Sequence, residues 1–290
     1  SKFKIYAYSL SATKDQYTER VKNAVSIFRE VNNLTDHEIV NLARDDRIDI
    51  AIDLNGYTNY ARTSIFLYRV APIQINYLGY TGSLGSKSFD YIIADKIIIP
   101  EENKKFYTEK VLYLPDTCFP YDNKRQQSNK KFCKEELGLP KDGFIFTSFN
   151  SIQKITRKEF SIWISLLKKI DKSVLWLVKP DEVAMENLYS ELKNNGLSKE
   201  RLVFAEKMKL DEHYARHSCA DLFLDTFNFN AATTAGIALS SGLPLITLLG
   251  NSFSSRIAAS ILQACNLSEL ITHSYEEYEN LAYELATNKE

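Results

Sequence analysis

The chain has 290 residues, 44% hydrophobic and 25% charged, with a net charge of −1. That is long enough for one large or two ordinary domains with a buried core, and the balanced charge argues against general attraction to nucleic acid or to a membrane surface. No apolar run reaches the roughly 18 residues of a membrane span, and the four cysteines (Cys118, Cys133, Cys219, Cys265) lack metal-binding spacing, which predicts reduced thiols in a cytoplasmic protein.

In chain order, FKIYAYSL predicts a strand and the stretch from Thr13 to Val31 a helix. The segments IDIAIDL, QINYLGY, DYIIAD and KVLYLP read as further short strands, closed by Gly, Asp or Pro. Their continuous apolar character fits a parallel sheet buried on both faces. From Phe119 to Lys134 the chain is polar and aperiodic, which predicts a linker. The alternation then resumes. FIFTSFN, SVLWLVK, LVFAE, DLFLDT and PLITLLG are strand-like. Helix-like segments lie between and after them: TRKEFSIWISLLKKI, Asp181 to Asn195, LDEHYARHSC, SSRIAASILQAC and SYEEYENLAYEL. In the first of these helices Phe160, Trp163, Ile164 and Leu167 share one face.

Strands separated by helix-length segments imply right-handed βαβ units. With a linker between two such runs, the expected fold is α/β, with two Rossmann-like doubly wound domains facing a central cleft. The expected domains are 1–128, with a first strand missing, and 129–290. Ligands in such sheets bind at the carboxyl ends of strands, so the strand-to-helix turns are the places to look for chemistry.

Three turns stand out. In FTSFNSIQKITRKEF, Thr156 is placed to N-cap the following helix and Lys154 sits just before it; the lysine reads either as a phosphate-neutralising cation or as a solvated surface residue. In LDEHYARHSC, His213 and His217 are four residues apart and share a helix face, with Arg216 one turn beyond His213. No third ligand at a recognisable spacing supports a metal there, and an ordinary amphipathic surface is the competing reading. In DTFNFNAATTAGIAL, the small residues Ala231 and Ala232 let a ligand approach the backbone, and Thr233 and Thr234 offer hydroxyls. An Asn/Thr cap with no ligand is the alternative. Gly79, Gly82 and Gly85 form a flexible loop in the first half.

Together these segments resemble the catalytic region of the protein O-GlcNAc transferases, including bacterial and SPINDLY-type relatives. DLNGYT, RVAPIQINYLGYTGSLG, DYIIAD, FTSFNSIQKIT, SVLWLVK, DLFLDTFNFNAATTAGIAL, GLPLITLLG and SSRIAASIL carry the resemblance in that order. It implies a GT-B glycosyltransferase that inverts the anomeric centre and needs no metal or cofactor. The donor would be UDP-GlcNAc, or another nucleotide sugar such as GDP-fucose or a UDP-hexose. The acceptor would be Ser/Thr hydroxyls of a protein, presented by a TPR region upstream in a longer chain.

By the same resemblance Lys154 is the diphosphate-binding lysine and the catalytic candidate. His213 and Arg216 lie on the side of the base, with the imidazole against the uracil. Thr233 and Thr234 hold the phosphates, Asn230 belongs to the same motif, and Ser151 lies in the lysine's turn. Gly82 and Ser83 lie in the loop that faces the sugar.

The sequence departs from the family in two places. Relatives have Gly-His or Gly-Thr where this chain has Ala231-Ala232. They have an acidic residue, placed to bind ribose hydroxyls, where this chain has Ile237, which accepts no side-chain hydrogen bond. The resemblance further implies that the family's catalytic half begins upstream of Ser1, with a strand and a His-bearing loop, and continues past Glu290. Ile237 favours a competing class, a degenerate non-catalytic nucleotide-sugar binder or scaffold. A nucleotide-sugar epimerase shares the architecture, but the acid/base set it needs at the sugar is not evident in the sequence.

Overall fold

The structure, a computed structural model, describes residues 2–125, 128 and 130–288. Gln126, Gln127 and Asn129, in the expected linker and beside the expected boundary at 128/129, lie outside the described residues. The chain divides into two compact units, Ser1–Ile93 with Lys105–Leu112 and Ala94–Lys104 with Tyr113–Glu290.

The first unit runs β1 (Tyr6–Ser9), α1 (Gln16–Ala24), β2 (Ile27–Glu30), α2 (Asp36–Asp45), β3 (Ile50–Asp53), α3 (Ser64–Leu67), β4 (Ile73–Asn76), β5 (Tyr91–Ala94) and β6 (Lys110–Tyr113). β1 and β2 pair in parallel, and β3-β4-β5-β6 form a second sheet in chain order. The helix expected from Thr13 to Val31 ends at Ala24. The Ile27-Phe28 stretch is β-branched and aromatic, and it finds a partner in β1, with Tyr6 opposite Ile27; sheet pairing overrides a helical reading there. α2 was not anticipated. Its capping box, in which Thr35 and Glu38 serve each other's backbone N–H, starts it cleanly. Ile39, Val40 and Ala43 of α2 pack with Val31, Ile65 and Val70 in this unit's core.

The second unit runs β7 (Ile145–Ser148), α4 (Arg157–Lys169), β8 (Val174–Val178), α5 (Glu182–Asn194), β9 (Leu202–Ala205), α6 (Leu210–Arg216), β10 (Leu222–Leu224), α7 (Thr233–Ser240), β11 (Leu245–Leu248), α8 (Ile257–Ala264), β12 (Ile271–Thr272) and α9 (Tyr275–Thr287). Its six parallel strands lie in the order β12-β11-β10-β7-β8-β9. Numbered within the unit this is 6-5-4-1-2-3, the doubly wound order whose direction reverses between the first and fourth strands. The strands are buried on both faces, as their unbroken apolar runs require. Phe160, Trp163, Ile164 and Leu167 of α4 are all buried, and Trp163 and Trp176 are the largest fully buried side chains.

The described residues of the segment expected as a linker form no helix or strand before Lys134 and are held to this unit. Tyr121 donates its hydroxyl to Ser240 Oγ at 2.6 Å, and Lys130 pairs with Glu212 at 3.0 Å. The Tyr121 ring lies so close to Gly236 that a Cβ there would meet it at 2.8 Å. Among the described residues no helix is long and apolar enough to cross a membrane, and all four cysteines are free thiols.

Candidate functional site

The reversal of strand order places the ends of β7 and β10 side by side, and the turns leaving them form the candidate site. Its hub is Asp225, which directly follows β10 and is fully buried. Oδ1 of Asp225 accepts from the backbone N–H of Thr226 (2.8 Å) and Ala231 (2.7 Å) and from Nδ2 of Asn150 (3.0 Å); Oδ2 accepts from the Thr247 hydroxyl at 2.7 Å. Burial pushes its carboxyl up to about 6, against the pull of these donors. One carboxylate thereby closes the loop 226–231 on itself and ties it to β7 and β11.

Asn150 continues the network. Its amide also donates to Thr226 Oγ1 at 3.0 Å, and its carbonyl accepts the Thr234 hydroxyl at 3.0 Å. Asn230, fully buried, donates its side-chain amide to Thr226 O at 2.7 Å, while its Oδ1 has no hydrogen-bond partner among the described residues.

Lys154 reaches this turn from the other side. A short 3₁₀ turn, Ile152–Lys154, follows Ser151, and Thr156 then N-caps α4 in a capping box with Glu159. Glu159 is buried and also accepts from Phe227 N at 2.9 Å, so the cap of α4 is bonded to the turn after β10. Nζ of Lys154 donates to the carbonyl of Asn230 at 3.0 Å and stands 4.0 Å from the centre of the Phe229 ring. Burial lowers its pKa from the ordinary lysine value, and the Asp225 carboxylate opposes that shift.

Beside it begins α7. Its N-cap, Ala232, supplies no side-chain acceptor, so the first-turn N–H groups stay open and carry the helix's partial positive charge. Thr233 is exposed, and its hydroxyl bonds no group among the described residues; the Thr234 hydroxyl is taken by Asn150. Ser151 is exposed, its hydroxyl bonded to Gln153. A lysine ammonium, a threonine hydroxyl and an uncapped helix end are groups of the kind that attract an anion.

A second cluster lies on Phe149, the residue before Asn150. The rings of His213, on α6, and His217, the residue that ends α6 and opens the next 3₁₀ turn, are 4.7 Å apart, and each lies about as close to Phe149, at 5.2 and 4.9 Å. Arg216 does not reach out from this face. It is buried, with its guanidinium 4.6 Å from the Phe149 ring centre and Nη1 donating to Glu206 O at 2.7 Å. Burial pulls Arg216 down to about 10, His213 to about 3 and His217 to about 4, so both imidazoles are neutral near pH 7. Nδ1 of His213 has no partner among the described residues.

Gly82 and Ser83 belong to the first unit. There the buried Glu109 accepts from Ser83 Oγ (2.6 Å), Leu84 N (2.8 Å) and Thr108 Oγ1 (2.9 Å), while Asn76 Nδ2 donates to Gly82 O at 3.0 Å. The loop that reads as flexible in sequence is pinned by one carboxylate.

The structure therefore brings Lys154, Asn230, Thr233 and Thr234 to one turn and stacks His213 and Arg216 on Phe149. Sequence reasoning missed Asp225, Asn150, Phe229, Glu159 and Glu109. Asp225 and Asn150 end their strand motifs, a position that could have flagged them. Ile237 is buried in α7, where its carbonyl accepts from the hydroxyls of Ser240 and Ser241.

A doubly wound parallel sheet with a cationic, uncapped turn at its reversal point places this domain in the α/β fold class of the GT-B glycosyltransferases. The chain belongs to glycosyl transferase family 41, whose model matches residues 1–132 and 123–290. It is 32% identical over 98% of its length to the probable UDP-N-acetylglucosamine–peptide N-acetylglucosaminyltransferase SEC of Arabidopsis thaliana, covering 30% of that protein. It is 29% identical over 99% of its length to the probable enzyme of the same activity, SPINDLY, from Eustoma exaltatum, covering 32%. A solved O-GlcNAc transferase variant from Thermobaculum terrenum superposes with a TM-score of 0.88 at 28% identity, over 98% of this chain and 54% of that one. The chain thus spans about a third of the length of the curated relatives it matches.

Proposed function

We propose that this chain is the donor-binding and catalytic core of a protein O-glycosyltransferase. The sugar moved is N-acetylglucosamine from UDP-GlcNAc, the donor named for the relatives, and the acceptor is a Ser/Thr hydroxyl of a protein. The observation that carries the reading is the Lys154 ammonium beside the uncapped start of α7. When the acceptor oxygen attacks the anomeric carbon from the face opposite the diphosphate, the bond to the phosphate oxygen breaks and negative charge grows on the leaving group. A fixed cation with open N–H groups stabilises that charge where it develops. Lys154, Thr233 and the first turn of α7 thus serve without a metal. The neutral imidazole of His213, packed on Phe149, offers a flat face suited to a planar base, and Gly82 and Ser83 lie in the sugar-facing loop.

A TPR region upstream in a longer chain would present the acceptor, and GDP-fucose or a UDP-hexose remains an alternative donor. A second reading, a non-catalytic nucleotide-sugar binder, is favoured by the apolar Ile237. Incubating the full-length protein with acceptor proteins and UDP-GlcNAc or GDP-fucose, followed by intact-mass analysis, separates the two. A mass increment of one sugar, lost in Lys154→Ala, supports the transferase. Donor binding with no increment on any acceptor leaves the binder.

A further inference from the structure

We propose that Phe229 is a positioning residue for Lys154, its ring holding the ammonium at the anion-binding turn through a cation–π contact. The inference rests on the reading of Lys154 as the group that meets the diphosphate. It starts from an oddity of exposure. Phe227 and Phe229 flank Asn228 in one short turn, yet they are used differently. Phe227 is buried and packs on Tyr275 and Tyr278, with ring centres 5.1 and 5.0 Å away. Phe229 is 38% exposed and contributes little to the core. What its ring does meet is Nζ of Lys154, 4.0 Å from the centroid and well inside the range in which a ring face attracts a cation.

The ring is carried on rigid backbone. The carbonyl of Phe229 accepts the Thr226 hydroxyl at 2.6 Å, and the next residue, Asn230, is fully buried, with its N–H donating to Ser254 O at 2.8 Å. Lys154 itself makes no ion pair among the described residues. Asp225, the carboxylate that acts on it, already accepts from Thr226, Ala231, Asn150 and Thr247. The ammonium therefore has two direct supports, the Asn230 carbonyl and the Phe229 ring. An ammonium has three N–H donors. One goes to the carbonyl and one is directed toward the ring, which leaves one for an incoming phosphate oxygen. The side chain loses less rotamer freedom when the anion arrives because the turn has already ordered it.

The test compares Phe229→Leu, which keeps bulk and apolarity but removes the π face, with Phe229→Trp, which restores it. Competitive acetylation across pH, read by peptide mass spectrometry, gives the pKa of Lys154 in the free protein, and calorimetry gives the affinity for UDP. In Phe229→Leu the Lys154 pKa is expected to fall by about half a pH unit or more, with UDP bound roughly two- to thirtyfold more weakly, while Phe229→Trp retains both properties. Unchanged values in Phe229→Leu, or equal losses in the Leu and Trp variants, overturn the proposal. The two readings fail separately. A wild-type protein that binds neither UDP nor GDP defeats the reading of Lys154 as the diphosphate ligand, whereas the acetylation measurement judges the Phe229–Lys154 contact without any nucleotide.

Discussion

Thr234 donates its hydroxyl proton to the side-chain carbonyl of Asn150 at 3.0 Å. The direction is fixed by the network, because the Asn150 amide nitrogen is committed to Asp225 and to Thr226 Oγ1, which in turn donates to Phe229 O. The hydroxyl proton of Thr234 is therefore spent inside the protein, and of the paired threonines Thr233 is the one able to donate to a phosphate.

Thr234→Val is accordingly expected to behave as a stability variant. It leaves the buried Asn150 carbonyl without its donor, at about 1–3 kcal/mol in denaturant unfolding. UDP affinity should fall less than in Thr233→Val. A Thr234→Val protein with wild-type stability and abolished UDP binding would show that its hydroxyl serves the ligand.

Asp225 gives a signed pH dependence. Its carboxyl is raised to about 6 in the folded protein, against about 4 unfolded. Between these values the folded state holds more protons than the unfolded state, so this residue's contribution to stability falls as pH rises from about 4 to about 6. Other carboxylates, such as Asp46 and Asp90, are lowered and pull the other way. The quantity to measure is therefore the stability of wild type minus that of Asp225→Asn at each pH. It should decline on the order of 2–3 kcal/mol across that window, and a flat difference contradicts the assignment.

The histidine pair should be silent near neutrality. Folding depresses His213 to about 3 and His217 to about 4, mainly through burial. In NMR titration their ring resonances should not move between about pH 5.5 and 8. Because the unfolded chain takes up protons near pH 6.5 and the folded one does not, this pair removes stability as pH falls from about 6.5 to about 4. A His213 titrating near its ordinary value would mean that the cluster on Phe149 is open to water.

In the first unit, Glu109→Ala should release the Gly82–Gly85 loop. Leu84 N–H loses its acceptor, so its hydrogen exchange should quicken by about tenfold or more. Unchanged protection would place the loop's order elsewhere.

Much of this was legible in sequence. Apolar runs such as VLWLV fit a strand buried on both faces, and Thr156 marked the start of α4. The helix expected through Val31 failed because β2 depends on a partner, Tyr6–Ser9, that local pattern does not reveal. α2 was missed although Thr35 and Glu38 have capping-box spacing. The site showed the same division. Lys154 and the threonine pair stood out by motif. The roles of Asp225 and Glu109 come from donors distant in sequence, Asn150 and Thr247 for one and Ser83 and Leu84 for the other, and no local window displays them.

The central claim is that Lys154 meets the diphosphate of a nucleotide-sugar donor, and titration of UDP into wild type and Lys154→Met by calorimetry tests it most directly. The account predicts saturable binding to wild type and a loss of at least about tenfold in the variant, the scale of one charge-assisted hydrogen bond. Equal UDP affinity in the two proteins, with both folded, would contradict it.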